Sequence, residues 1–458
     1  MPTQNLAAII LAAGKGTRMK SSLAKVLQPL AGSPLAAYPI QRSQQLGCAP
    51  IVMVVGHQSE LVQETFSDQE LLFVEQAQQL GTAHAVQMAQ PILKGFSGTL
   101  LLLCGDVPLL RQETLQQLLA DHHQAGAVVS VLTAKLENPT GYGRIIRNGD
   151  FVDRIVEEKD TTDEEKKVQE INTGLYAFEA PLAFDLLAQI GNQNSQGEYY
   201  LTDIISLARQ QGHTVVASIL NDSTESMGIN DQVQLSQAAK ILRRRINHEH
   251  MVAGVTLIDP EATYIDSKVT IANDTIIYPG AQLRGTTAIG CHCTIEAGAV
   301  IDSCTIGDHS IIKAGSSLEG STLGEHSTIG PMAHLRPGTI LKGHNKIGNF
   351  VETKKATIGL HSQASHLTYI GDAELGQNVN LGCGTITCNY DGVNKHKTII
   401  EDDVFVGSDS QLVAPVTIGR NSLIGAGSTI TKDVPADALA LSRTAQKTIA
   451  GWRNRNKK

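Results

Sequence analysis

From Ile289 an aliphatic residue returns every six positions, at 289, 295, 301, 306, 312, 318, 323, 329, 335, 341 and 347, with two slips of one residue. The spacing returns without a slip at Ile400, Val406, Leu412, Ile418, Ile424 and Ile430. Glycine often follows the aliphatic residue, as at Gly290, Gly307, Gly324, Gly330 and Gly348. Such a repeat is the signature of a parallel β-helix, whose short strands cannot bury their apolar sides singly and do so by stacking. The in-phase aliphatics fill a narrow interior, and small residues turn the corners. The break from Thr387 to Ile399 predicts a loop projecting from the solenoid, a usual place for binding groups.

Residues 1–230 have a different rhythm. Short apolar runs at Ala7–Leu11, Ile51–Val55, Leu100–Cys104 and Val128–Leu132 read as buried parallel strands. Helical patterns lie between them at Leu35–Leu46, Thr82–Gln90 and Thr114–Gln124, closed by Gly47, Pro91 and Gly126. This alternation predicts a doubly wound α/β (Rossmann-like) domain that binds ligands beyond the carboxyl ends of its strands. Residues 231–252 read as a linker helix, with Arg243, Arg244 and Arg245 on a solvated face, and 253–458 as the β-helix and a C-terminal tail.

A length of 458 residues allows two to four domains. The net charge of −8 argues against a general nucleic-acid binder. Aromatic residues are only 4% beside 42 Gly, which suits small regular repeats. No apolar run reaches the roughly 18 residues of a membrane span, so membrane insertion is not expected. Met1–Gly14 lacks the basic region and cleavage pattern of a signal peptide. Seven scattered cysteines, an odd number, then read as reduced thiols in a cytoplasmic protein. Cys291 and Cys293 have no second pair at zinc spacing.

Two features of the first half carry chemistry. In the loop Gly14–Arg18, Gly14 and Gly16 permit a tight path that points backbone N–H groups at an anion, and Arg18 and Lys25 add fixed positive charge. The loop is neither a Walker A sequence nor Gly-x-Gly-x-x-Gly, and alone it is equally a plain turn. Asp106, in Cys104-Gly-Asp-Val-Pro, stands at a strand's carboxyl end, where a carboxylate suits a hard cation or simply forms a turn.

The opening Leu11-Ala-Ala-Gly-Lys-Gly-Thr-Arg-Met19 followed by Lys25 resembles the signature of sugar-1-phosphate nucleotidyltransferases. The second half resembles hexapeptide-repeat acyltransferases with left-handed β-helices. Together with His366-Leu-Thr-Tyr-Ile-Gly-Asp372 and Thr385-Ile-Thr-Cys-Asn-Tyr-Asp-Gly392, the whole chain is similar to the bacterial bifunctional N-acetylglucosamine-1-phosphate uridyltransferases and glucosamine-1-phosphate acetyltransferases.

The resemblance implies that Leu11, Ala12, Ala13, Gly14 and Lys25 contact UTP, with Gln76, Gly81 and Thr82 recognising uracil. Gly141, Glu157 and Asn172 match the N-acetylsugar contacts, and Asp106 and Asn230 the Mg²⁺ ligands. Arg18 and Lys25 are the catalytic cations of uridylyl transfer. Ala24 stands where relatives usually have Pro, which implies a less rigid loop, and Cys104 stands where some have Tyr. Asn172-Thr-Gly174, read alone, is a turn before a strand.

In these β-helices three hexads make one coil, so Arg336 and Lys354, 18 residues apart, should stack about 4.8 Å apart and share an acceptor phosphate. Lys395 matches a further phosphate contact, and Tyr369 and Asn380 match sugar contacts. His366 matches the catalytic base, a task that suits imidazole at neutral pH, whereas His309, His326 and His361 read as surface residues. Asn389 and Tyr390 match residues beside the acetyl-CoA thioester, with Asn389 on the oxyanion. Cys383, which replaces Ala of some relatives, Ser408, Ala426 and Arg443 match the coenzyme groove. The family packs three prisms into a homotrimer with acetyl sites in the clefts. Arg443 is expected in a tail that has left the prism and reaches a neighbour, with a basic end at Arg453, Arg455, Lys457 and Lys458. Two other readings stand beside this one: a nucleotidyltransferase whose β-helix only oligomerises or regulates, and a scaffold without activity.

Overall fold

The computed structural model describes residues 5–149 and 151–454; Arg455, Lys457 and Lys458 of the basic end lie outside them. The chain forms two compact units, Met1–Leu242 and Arg243–Lys458. Their division falls inside a helix, Gln232–Val252, whose first half buries Ala238 beside Leu30, Leu35 and Tyr38 of the first unit.

The first unit is built on one sheet. Its strands are β1 (Leu6–Ala12), β2 (Ile51–Val55), β3 (Leu72–Glu75), β4 (Thr99–Cys104), β5 (Val129–Lys135), β6 (Arg144–Asn148), β7 (Phe151–Val156), β8 (Glu170–Glu179) and β9 (Val215–Ile219). Their order is β9-β5-β8-β4-β1-β2-β3, with β6 paired to both β8 and β7. β1, β2 and, after Thr99, β4 are apolar because both faces of the sheet are covered, as in an α/β fold. β1 runs parallel to both neighbours, so Leu11 lies beside Cys104 and Ala12 beside Val55. The carboxyl ends of three strands thus meet at one edge.

The sheet is mixed, not wholly parallel. β8 lies antiparallel between β4 and β5, with Tyr176 opposite Leu102 on one side and Val131 on the other. Hydropathy records burial but not strand direction, so an apolar run alone could not reveal this. The expected turn at Asn172–Gly174 is an irregularity within β8, where the register with β5 shifts between Asn172 and Tyr176.

The second unit is a parallel β-helix of two- to seven-residue strands. One face is an 11-stranded sheet; a 17-stranded sheet holds the other two faces, which join without a break in the strands Glu352–Ile358 and Tyr369–Leu375. Every aliphatic residue of the six-residue pattern is buried, from Ile289 to Ile347 and from Ile400 to Ile430. The two slips fall beside corners where Ser303 and Gly320 turn with φ of 52° and 48°.

A corner column shows how the coil sets side chains. His292, His309, His326, His344 and His361 all have φ between 53° and 59°, and their rings stack with centroids 4.7–4.9 Å apart, the spacing of neighbouring strands. The column continues at Asn378, Asp403, Asn421 and Asp437 with the same backbone sign. Outside Gly, His, Asn and Asp are among the residues that most readily adopt it. The surface histidines of the sequence are therefore one ladder.

Away from the strand carboxyl ends, His122 is fully buried on the helix Gln112–Gln124. Its Nδ1 lies 2.8 Å from Ser130 Oγ and its Nε2 3.2 Å from Glu179 Oε1. Burial pulls its pKa below the ordinary value, against the opposing pull of Glu179. The unfolded state then binds the extra proton more readily, so stability rises with pH between the lowered folded pKa and about 6.5 and is lost as pH falls through that window. Circular dichroism at 222 nm, dominated by the helices of the first unit, should show its melting temperature falling as pH drops below about 6.5. His122→Asn should flatten that dependence.

Candidate active sites

At the carboxyl edge of the first sheet, β1 runs into the loop from Ala13. Gln79 Nε2 donates to Ala13 O (2.5 Å) and Gly105 N to Leu11 O (2.9 Å), tying three segments to the strand end. A short helix, Thr17–Met19, follows Gly16, whose φ is 60°. A Cβ at Gly16 would lie 2.7 Å from Lys25 Cβ, so glycine is needed for both the backbone sign and the approach of Lys25. Gly14 and Arg18 face solvent. Ala24 is buried, and Gln58 clamps its segment: Ala24 N donates to Gln58 Oε1, and Gln58 Nε2 to Ser22 O, both at 2.7 Å. A proline could not make the first of these bonds. Gln58 therefore ties down the segment in which relatives usually carry the proline ring.

Lys25 Nζ reaches Asp106 Oδ2 and, at 3.1 Å, Asn230 Oδ1. Two oxygens from segments far apart in sequence thus converge on one positive charge. Among the described residues no group of three or more His, Cys, Asp or Glu could hold a metal. Two oxygen donors are nonetheless the ordinary protein share for Mg²⁺, which keeps waters and phosphate oxygens as its other ligands. The donor set fits that ion.

Gln76 is buried and its Nε2 donates to Gly81 O (3.1 Å) and lies 3.0 Å from His84 Nδ1. Gly81 has φ 118°, and a Cβ there would lie 2.5 Å from Tyr199 O. Thr82 Oγ1 accepts from Leu201 N (3.1 Å). Glu157 Oε1 accepts from Thr202 Oγ1 (3.1 Å); burial raises its carboxyl above the usual range, and Asp203, Asp160 and Glu198 raise it further. Asn172 donates its backbone N–H to Gly143 O (2.9 Å), and a Cβ at Gly143 would lie 3.6 Å from both Asn172 Cβ and Glu157 Oε2. Gly141, φ 90°, faces open space. These residues line one region of the strand edge. Cys104 fills space against Gly174, and burial pushes its thiol up to about 12.

In the second unit Leu335 pairs with Thr353 and Lys354 with Gly371, so Arg336 and Lys354 are neighbours on successive coils. Arg336 Nη1 donates to Glu352 Oε1 (2.9 Å). Lys395, and less strongly Arg336, hold the Lys354 ammonium below its ordinary pKa, while Asp372 opposes them. Three cations therefore crowd together. A bridging anion would relieve their repulsion.

His366 ends the strand Gln363–His366, level with Asn349 on the preceding coil. Its Nδ1 lies 2.6 Å from Asn349 Oδ1. An amide oxygen only accepts, so Nδ1 is the donor in this contact, and in the neutral ring the lone pair then falls to Nε2. Leu367 then turns the corner with φ 42°, and Tyr369 begins the next face, its hydroxyl over Gly371. Asn380, on the following coil, pairs with Gln363.

The interruption is a closed hairpin. Tyr390 and Lys395 form an antiparallel bridge. Asp391 accepts from Val393 N (2.8 Å), Asn394 N (2.6 Å) and His396 Nε2 (2.7 Å), which bring its pKa down to about 2. Asn389 is buried and donates to Asp372 Oδ2 (2.5 Å). Below it, a Cβ at Gly382 would lie 2.5 Å from Ser408 N, and Gly427 N donates to Ser408 O (2.8 Å), so Cys383, Ser408 and Ala426 follow one another on successive coils. Arg443 Nη1 donates to Ala426 O (2.8 Å), and Ser442 N to Ser428 Oγ (3.2 Å). Arg443 therefore lies against its own last coil rather than in a free tail.

The sequence matches the nucleotidyl transferase family over residues 7–231, the GMPPB C-terminal domain over 265–369 and the bacterial transferase hexapeptide (six repeats) over 397–432. It is 62% identical to the bifunctional protein GlmU of Syntrophotalea carbinolica, covering all of this chain and 98% of that protein. It is 58% identical to the GlmU of Pelobacter propionicus and 59% to that of Geobacter sulfurreducens, in each case over 99% of both chains. The chain belongs to the GlmU family. It is a bifunctional transferase, an N-acetylglucosamine-1-phosphate uridyltransferase and glucosamine-1-phosphate acetyltransferase. The readings of a single activity and of an inactive scaffold are thereby excluded.

Four residues were given no role from the sequence: Gln58, Asn349, Asp372 and Arg144. Asn349 could have been found by counting one coil back from His366. Without its amide oxygen, His366 would divide between two tautomers. Asn349→Ala should lower kcat for acetyl transfer about tenfold, the worth of one hydrogen bond, with uridylyl transfer unchanged. Unaltered acetyl kcat would show that the bond does not orient the base.

Proposed function

We propose that each unit carries one complete chemistry and that the residues above divide between them. In the first unit a phosphate oxygen of N-acetylglucosamine-1-phosphate attacks the α-phosphorus of UTP in line. The new P–O bond forms as the bond to the β-phosphate breaks, and pyrophosphate leaves. The Gly14–Arg18 backbone, Arg18 and Lys25 neutralise the phosphates, since positioning and charge are what such a transfer demands. Leu11 to Gly14, Gln76, Gly81 and Thr82 hold the nucleotide, and Gly141, Glu157 and Asn172 hold the sugar. Asp106 and Asn230 hold Mg²⁺, which when bound screens the negative charge of the phosphates. The observation carrying this reading is the convergence of Asp106 and Asn230 on the Lys25 ammonium.

In the second unit Arg336, Lys354 and Lys395 take the phosphate of glucosamine-1-phosphate, and Tyr369 and Asn380 its ring. Nε2 of His366 accepts the proton as the amine attacks the thioester carbonyl of acetyl-CoA. The C–S bond then breaks and coenzyme A leaves. Asn389 and Tyr390 flank the thioester, and Cys383, Ser408, Ala426 and Arg443 follow the coenzyme. Three chains associate as a homotrimer in the cytoplasm. Among the described residues no helix is long and apolar enough to cross a membrane.

Asp106→Ala should abolish Mg²⁺-dependent release of pyrophosphate and spare acetyl transfer. His366→Ala should cut acetyl transfer about 10²–10⁴-fold, the usual share of a placed acid–base group, and spare uridylyl transfer. Either variant losing both activities while folded would contradict the division. Sedimentation should give a trimer, and a monomer would refute the assembly.

A further inference from the structure

Arg144 is the largest of the fully buried side chains, in a region otherwise devoted to binding. It opens β6, opposite Val156 of β7 on one side and Ile171 of β8 on the other. Those two residues immediately precede Glu157 and Asn172. Its Nη1 donates to Tyr142 O, the carbonyl between Gly141 and Gly143. Its Nη2 lies 2.7 Å from Glu158 Oε2, next in the chain to Glu157. Its Nε and Glu158 Oε2 are both buried with no hydrogen-bond partner, so Arg144 and Glu158 meet as an ion pair without hydrogen-bond geometry.

A charge so placed is costly unless paired, and a lone structural arginine here would be exchanged for an apolar residue at little loss. What an apolar residue cannot do is hold two loops at once. The guanidinium is planar and rigid, so contacts from two of its nitrogens fix the direction between the Tyr142 carbonyl and the Glu158 carboxylate. We propose that Arg144 is a positioning residue for the N-acetylsugar pocket, clamping the Gly141–Gly143 loop to the Glu157–Glu158 turn so that Gly141, Glu157 and Asn172 keep one geometry. This rests on the reading of those three residues as the sugar contacts.

The test is steady-state uridylyl transfer by the full-length enzyme. Arg144→Lys keeps the charge but loses the fork. It should raise KM for N-acetylglucosamine-1-phosphate about 10- to 100-fold, as loss of one charge-assisted hydrogen bond does. KM for UTP and the rate of acetyl transfer should stay near wild type. Glu158→Gln, at a partly exposed carboxylate, should show the same selective rise more weakly, and combining it with Arg144→Lys should add little. A general loss of folded protein would lower kcat for both substrates and leave both KM values alone, so the split separates positioning from stability. If Arg144→Lys does not fold, Glu158→Gln carries the test by itself. An unchanged sugar KM in the folded variants, or an equal rise for UTP, would overturn the proposal. Glu157→Gln and Asn172→Ala test the underlying reading separately. If both leave the sugar KM unchanged, the pocket itself is misassigned. If they raise it while Arg144→Lys does not, only the positioning role falls.

Discussion

Backbone hydrogen bonding between successive coils forces residues one coil apart, usually 17 or 18 positions and 25 across the 387–399 interruption, to lie one above another at the spacing of strands in a sheet. Most of the second unit's chemistry follows from it. It brings Lys354 beside Arg336, on successive coils, with Lys395 lowering the Lys354 ammonium pKa more than Arg336 does. It sets Asn349 above His366, so that one imidazole nitrogen is tied to the amide oxygen. It lines up Cys383, Ser408 and Ala426 as a track. The five stacked histidines show the same rule in residues without an assigned task. The coil repeats because its interior is uniformly aliphatic. The site is thus placed by residues that never touch a substrate.

The first unit solves a different problem. Its polar groups come from segments as far apart as Lys25, Asp106 and Asn230, and a sheet whose strands end together brings them to one edge. Close backbone approach matters more here than repetition. Gly16 lets Lys25 lie against the loop, and Gly81 lets its backbone meet Tyr199. Polar side chains then hold what the backbone begins: Gln58 restrains the segment before Lys25, and buried Arg144 touches the Tyr142 carbonyl and Glu158.

How far the sequence could be read depended on whether the signal was periodic. The aliphatic phase from Ile289 to Ile430 predicted the buried interior because every coil imposes the same demand. The opening loop and Asp106 were legible because glycine, charge and a strand end occur together. The antiparallel β8 was not, since Tyr176 and Phe178 are as apolar as residues of a parallel strand would be. The last coil closes on Leu439–Ala440 without the six-residue phase, so the sequence did not show that Arg443 Nη1 donates to Ala426 O. Gln58, Asn349 and Arg144 act by holding other residues, and their types carry no motif.

The central claim is that one chain holds two self-sufficient sites joined only by a diffusing intermediate. The most direct measurement follows UDP-N-acetylglucosamine formed from glucosamine-1-phosphate, acetyl-CoA, UTP and Mg²⁺ by a mixture of Asp106→Ala and His366→Ala proteins. Each variant alone should be nearly inactive in the full conversion, and the mixture should form product after a lag while N-acetylglucosamine-1-phosphate accumulates in solution. A mixture as inactive as its parts, with both proteins folded, would contradict two independent sites.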